Sequence, residues 1–290
     1  MPEAQLHYGP IEYNDTGGDG PIVLLVGGLL IGSSLWDQVV AELRSEFRCI
    51  IPALPWGAHR QAMQPETDLS LAGQARILTE LVEHLRLEQV TLVESDSAMA
   101  QVVMAGNPQH IARVVFVSCE TWSNYPPGLP GRLVTLAATI PGGLYLAMQQ
   151  MRLHAFQRSP LAFGRMAKHG ISEQMLDSWL HPVITQSGVR RDLAKYARSV
   201  RASRQVLKAA MNGLATLSCP ALVVWAAEDR VMPLATGREL AAAIPSSRFV
   251  EIEDSYTLVA LDQPARLARE IRLFASSQRA GNLESEGNRR

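Results

Sequence analysis

Short apolar runs alternate along the chain with longer stretches in which apolar residues recur every three to four positions, a pattern that predicts strands interleaved with amphipathic helices. Ile22–Val26 reads as a buried strand, with a helix over 33–43 after it. A strand over 47–52 is followed by a helix over 71–85, and one over 90–93 by a helix over 97–106. Strands over 114–117, Ala221–Ala226 and 248–252, with helices over 235–243 and 264–275, complete the series. Such alternation predicts an α/β domain built on a mainly parallel sheet flanked by helices, with its reactive groups at the carboxyl ends of the strands.

The alternation breaks between about 121 and 212. This segment opens with Pro126, Pro127, Gly128 and Pro130, lacks strand-like periodicity, and carries its apolar and charged residues at helical spacing. It is expected to be an inserted helical cap that lies over the strand ends and excludes water. Residues 133–148, interrupted by Pro141, Gly142 and Gly143, are apolar enough either to line a pocket or to pack as ordinary helix. The stripe Arg191, Lys195, Arg198, Arg201, Arg204 and Lys208 reads as one solvated helix face. Residues 1–120 and 213–278 then form the core, and the polar, glycine-bearing 279–290 reads as a disordered tail.

At 290 residues and 47% apolar, the chain suffices for one large core with such an insertion. Its net charge of −1 shows no overall bias toward nucleic acid or an anionic membrane. The charge is nevertheless divided: 121–212 holds twelve Arg or Lys against three acids, and the remainder fifteen against twenty-five. A basic lid on an acidic body could draw in an anionic substrate, although solvated helix faces are the plainer reading. Cys49, Cys119 and Cys219 have neither disulfide nor zinc-site spacing, which fits a reducing cytoplasm. No apolar run approaches the roughly 20 residues of a membrane span. With Glu3, Asp15 and Asp19, the first residues do not read as a signal peptide. The expectation is a cytoplasmic monomer or homodimer that takes a small-molecule substrate, with no nucleic-acid or membrane partner, no cofactor and no metal.

The strand over 90–93 runs into Glu94, Ser95, Asp96, Ser97 and Ala98, a turn that lifts Asp96 over the following helix. This resembles the GxSxG nucleophile elbow of the α/β-hydrolase superfamily, with a carboxylate at the nucleophile position and larger residues at both glycine positions. The order of elements, the insertion, Glu228-Asp229 and Asp262-Gln263-Pro264 extend the resemblance over nearly the whole chain. More narrowly, Gly57-Ala58-His59, Cys119-Glu120, Asn124-Tyr125-Pro126-Pro127 and Asp254-Ser255-Tyr256-Thr257 resemble a bacterial branch of that superfamily. The resemblance implies the α/β-hydrolase fold. In the superfamily's order of nucleophile, acid and histidine, it assigns Asp96 to the first role and Asp229 to the second, and it puts Thr257 where the histidine belongs. Gly27-Gly28 replaces the usual His-Gly pair, so the N–H groups of Leu29 and Ser97 become the oxyanion-hole donors, unless the glycines serve only a tight turn.

Ser95 and Ser97 flank the elbow position and read as turn and helix-cap residues, so a serine mechanism is not expected. An aspartate nucleophile is similar to that of haloalkane dehalogenases and epoxide hydrolases, which form an alkyl ester that a histidine-activated water cleaves. The dehalogenases hold halide with an indole beside the nucleophile, a position that is Ser97 in this chain. The epoxide hydrolases protonate the ring oxygen from cap tyrosines, for which Tyr125, Tyr145 and Tyr196 are available. His59 is the foremost replacement base, ahead of His154 and His181, while Gly28, Glu120, Trp122, Tyr125 and Tyr256 are expected around the pocket. The first functional expectation is an epoxide-hydrolase-like enzyme acting on a small, largely apolar molecule. The alternatives are a lyase or cyclase in which Asp96, with its pKa raised by burial, moves protons with Tyr256, Thr257 or Glu120, and a degenerate homologue that only binds a ligand.

Overall fold

Eight strands form a sheet in the spatial order β1 (Glu3–Leu6), β2 (Gly9–Asp15), β4 (Arg48–Pro52), β3 (Ile22–Val26), β5 (Val90–Ser95), β6 (Ile111–Val117), β7 (Ala221–Ala226) and β8 (Ser247–Ile252). The computed structural model describes residues 1–245 and 247–276, so the tail assigned to 279–290 and the core's end at 277–278 lie outside the described residues. From β4 to β8 every neighbouring pair is parallel, whereas β1–β2 and β2–β4 are antiparallel. The parallel strands are covered on both faces, which is why they read as continuous apolar runs: Leu24, Leu25, Val93, Val115 and Val223 are fully buried.

The amino-terminal hairpin is not among the expected strands. As an edge element it buries only alternate side chains, Ala4 and Leu6 on β1 and Ile11 on β2, too few to stand out as an apolar run.

Helices α1 (Asp37–Leu43), α2 (Leu71–His84), α3 (Met99–Ala105), α9 (Leu234–Ala243), α10 (Val259–Asp262) and α11 (Pro264–Ser276) alternate with the strands. The helix expected over 33–43 divides into a 3-10 turn at Ser33–Trp36 and then α1, and α3 starts two residues later than expected because Ser97 and Ala98 belong to the turn before it. Between β6 and β7 lie α4 (Gly128–Thr139), α5 (Gly143–Gln150), α6 (His154–Gln157), α7 (Glu173–Thr185) and α8 (Ser187–Leu214). Pro141 and a left-handed Gly142, φ +73°, separate α4 from α5. Helix α8 turns Val189, Leu193, Tyr196, Val200 and Leu207 inward at helical spacing and packs on α2 and α3. Its basic stripe is only partly solvated. Arg191 and Lys195 are half-buried and hold the backbone carbonyls of Met63 and Pro65, in the loop after β4.

The connections fix where a site can form. From β3 the chain passes to β4 on one side and later returns to β5 on the other, so the carboxyl ends of β3 and β5 border a topological switch point. The segments leaving these two ends are Gly27–Leu30 and the turn at Asp96.

Candidate active site

Asp96 follows the last residue of β5 with φ +56°, a left-handed conformation that aspartate tolerates better than most side chains but that still costs energy. Leu30 after β3 and Ser118 after β6 also have positive φ, so three strained residues border the same ends of adjacent strands. Gly28 makes the turn possible. A Cβ there would lie 1.9 Å from the Asp96 carbonyl oxygen and 2.6 Å from its Oδ2, whereas one on Gly27 would meet only side chains at 3.4 Å and beyond. Gly28 is therefore required by close backbone approach, and Gly27 is not.

Glu94, two residues before Asp96, is buried, and its side chain turns back onto the start of α3. Its Oε1 accepts the Ala100 N–H at 2.8 Å, and its Oε2 has no partner. Burial lifts its pKa from an ordinary 4.5 to about 7 in spite of hydrogen bonds from Ala100, Ser97 and Met99.

Beside Asp96 is a cavity between the strand ends and the inserted helices. Its walls are mainly apolar, with Leu29, Met166 and Val200 among them, and Asp96, Glu120 and Tyr196 supply polar groups. Among the described residues no Lys, Arg or His lines it. Asp96 is 7% exposed, and its pKa stands well above the usual carboxylate range, first through burial and then through the nearby charges of Asp229 and Glu94. Glu120 is raised likewise by burial, Asp96 and Glu94, and its buried Oε2 has no hydrogen-bond partner. Gln101 steadies the Glu120 backbone by donating to its carbonyl at 2.5 Å.

Asp229 is held from one side. Its Oδ1 accepts Val231 N–H at 2.9 Å, Met232 N–H at 2.7 Å and Thr257 Oγ1–H at 2.7 Å, while its Oδ2 is unpartnered. Burial raises its pKa to about 6. Thr257 is fully buried and hydrogen-bonded to Asp229, but a hydroxyl cannot take up a proton at neutral pH as an imidazole does.

Leu29 lines the cavity, and among the described residues neither its N–H nor that of Ser97 has an intramolecular acceptor, whereas the adjacent Leu30 N–H is bonded to Trp56 O at 2.9 Å.

Several expected site residues lie elsewhere. His59 does not reach the cavity: its Nδ1 accepts the Gly57 N–H at 3.2 Å and its Nε2 faces Asp192 Oδ2 on α8 at 3.3 Å, so both ring nitrogens are occupied. Asp192 completes its shell with Met63 N–H at 2.7 Å and the Arg191 guanidinium at 2.7 Å. His154 pairs with Asp177 at 3.2 Å, and His181 is exposed. Trp122 is 39% exposed and off the cavity. The Tyr256 ring lies against the Arg230 guanidinium, 4.4 Å from its centre, rather than on the cavity wall. Tyr125 stands one layer back and donates to the Tyr196 hydroxyl at 3.2 Å. Tyr196, stacked on Trp56, is the tyrosine that lines the cavity, and the inward spacing of α8 is the signal that singles it out. Glu94 is the other member that sequence reasoning passed over, and an ionisable residue in a glycine position was its mark.

A family model described as alpha/beta hydrolase fold matches residues 21–264. The chain is 24% identical over 246 residues to a 2-hydroxy-6-oxononadienedioate/2-hydroxy-6-oxononatrienedioate hydrolase of Cupriavidus pinatubonensis, covering 82% of this chain and 81% of that protein. It is 25% identical over 269 residues to haloalkane dehalogenase 2 of Mycobacterium tuberculosis, covering 91% and 90%. Among solved structures, a haloalkane dehalogenase from Bradyrhizobium elkani matches with a TM-score of 0.78 at 21% identity, over 96% of this chain and 97% of that one. An esterase from Thermogutta terrifontis matches with a TM-score of 0.68 at 21% identity, over 93% and 96%.

Proposed function

This chain belongs to the α/β-hydrolase fold family, and we propose that it uses the nucleophile position of that fold for acid–base rather than ester chemistry. Asp96 and Glu120 share protons in the cavity and open a small, largely apolar electrophile, an epoxide being the type that suits them best. What supports this is that the two carboxyls line one apolar cavity whose walls carry no basic side chain. Two coupled carboxyls under those conditions hold one as an acid and the other as a base, the pairing that concerted proton transfer requires.

In the proposed step the protonated carboxyl gives its proton to the ring oxygen as the C–O bond breaks. The ionised carboxyl takes a proton from the water whose oxygen bonds to the same carbon. The product is a vicinal diol, and the proton has moved from one carboxyl to the other without a change in net charge. In this reading the Leu29 and Ser97 N–H groups and the Tyr196 hydroxyl donate to the ring oxygen as charge develops on it. An Asp96 ester, by contrast, needs a base to activate the water that hydrolyses it, and Thr257 cannot serve as one.

A single turnover of an epoxide in ¹⁸O water separates the two routes. Direct addition places ¹⁸O in the first diol formed and leaves Asp96 unlabelled, whereas the ester route gives an unlabelled first diol and ¹⁸O in the Asp96 peptide. Label in that peptide defeats the proposal.

A further inference from the structure

Nine of the eleven large apolar side chains that are exposed among the described residues fall between Trp122 and Leu161. The same stretch, 121–172, holds five Arg or Lys and no Asp or Glu. On α4, Leu129, Arg132, Leu133 and Leu136 recur at spacings that place them on one helix face, Ile140 follows at its end, and α5 with the residues after it adds Tyr145, Leu146 and Leu153. These are open positions: Leu136 is 58% exposed, Leu146 62% and Leu153 63%. Only Ala138 of α4 is fully buried. Concentrated apolar exposure of this kind marks an interaction surface rather than a solvated one.

We propose that the α4–α5 face docks on the surface of an anionic lipid membrane, with its leucines below the headgroups and its arginines among the phosphates. Charge decides the partner. Arg132 and Arg165 have no ion-pair partner among the described residues, and a second copy laid on this face would set arginine against arginine with no acid in the stretch to answer it. An anionic bilayer offers both the apolar depth and the countercharge. The chain outside 121–212, with fifteen bases and twenty-five acids, is repelled by such a surface and so orients the molecule cap-down. Among the described residues no helix is long and apolar enough to cross a membrane, which makes the contact interfacial. A groove between α4 and α5 shares Pro130, Val134, Met151 and Leu161 with the wall of the Asp96 cavity, so a docked molecule places the site next to a reservoir of apolar molecules. The docking is independent of the acid–base reading.

The test is co-sedimentation of the full chain with phosphatidylcholine vesicles, with and without phosphatidylserine. Binding is expected to the anionic vesicles and to be released by salt. Leu136→Asp with Leu146→Asp should weaken it roughly tenfold or more, and Arg132→Ala roughly fivefold, each with an unchanged melting temperature. Wild-type protein that stays in the supernatant with anionic vesicles at low salt overturns the proposal. So does a dimer in sedimentation equilibrium that Leu136→Asp dissolves, which would assign the face to a second copy.

Discussion

The molecule holds two buried groupings of ionisable residues, and they are finished to different degrees. At His59 and Asp192, whose carboxylate is fully buried, the imidazole, the Arg191 guanidinium and the Met63 N–H all converge on one carboxylate, which is held below its usual pKa despite its burial. At Asp96 and Glu120 no cation lines the cavity among the described residues, Glu120 keeps an oxygen without a partner, and both groups are driven upward by burial, Asp96 also by Asp229 and Glu94, and Glu120 also by Asp96 and Glu94. The first grouping joins α8 to the loop after β4 and holds its charges. In the second, burial and neighbouring carboxylates push both groups toward their protonated forms. Buried carboxylates of this second kind are stabilised neither by solvent nor by partners, a cost that folds retain mainly where chemistry uses it.

The contrast can be attacked from either side. The largest effect is expected from the unpaired group: Asp96→Asn and Glu120→Gln should each lower kcat by roughly 10³-fold, and the double variant should be no worse than either single one because the pair acts as a unit. Additive losses in kinetic assays would show that the two carboxyls work separately. On the paired side, Asp192→Ala strips His59 and Arg191 of their partner and should cost about 3–5 kcal/mol in urea denaturation, with kcat of the folded fraction nearly unchanged. A large loss of kcat without a loss of stability would return His59 to the reaction.

A smaller effect concerns Glu94 and pH. Its folded pKa of about 7 exceeds the ordinary 4.5, so the folded state binds the extra proton between these values and stability falls as pH rises through that window. The full contribution is present below about 4.5 and amounts to about 3 kcal/mol at most. Asp229, raised from 3.8 to about 6, acts with the same sign at lower pH. Glu94→Gln should flatten the fall of melting temperature between those limits, and an unchanged pH profile would place the proton elsewhere. The smallest effect is a gain: Asp96→Asn removes a buried charge with no partner and should raise stability by about 1 kcal/mol, whereas a loss would mean that Asp96 is structurally paired.

The sheet was legible because β3, β5, β6 and β7 are buried on both faces and leave unbroken apolar runs, while the half-exposed hairpin at the amino terminus leaves none. Asp96 and Leu29 were legible because each follows a strand whose end borders the switch point, and Glu120 because it follows β6, the strand next to β5. His59 also follows a strand, yet its ring turns the other way. The deciding partner, Asp192, lies 133 residues later on a helix whose packing no local pattern describes. Trp122 and Tyr256 failed for the same reason, since sequence position near a site does not fix the direction of a side chain. Tyr196 was one of three equivalent tyrosines until the register of α8 turned it inward.

The central claim, that Asp96 and Glu120 hold a proton between them with no base at hand, can be measured without a substrate. Infrared spectra at about pH 8, where Glu94 and Asp229 are mostly ionised, isolate the pair. The wild-type protein should show a protonated carboxyl band that shifts in heavy water and disappears in both Asp96→Asn and Glu120→Gln. A wild-type spectrum without that band, or one that both variants leave intact, would contradict the account.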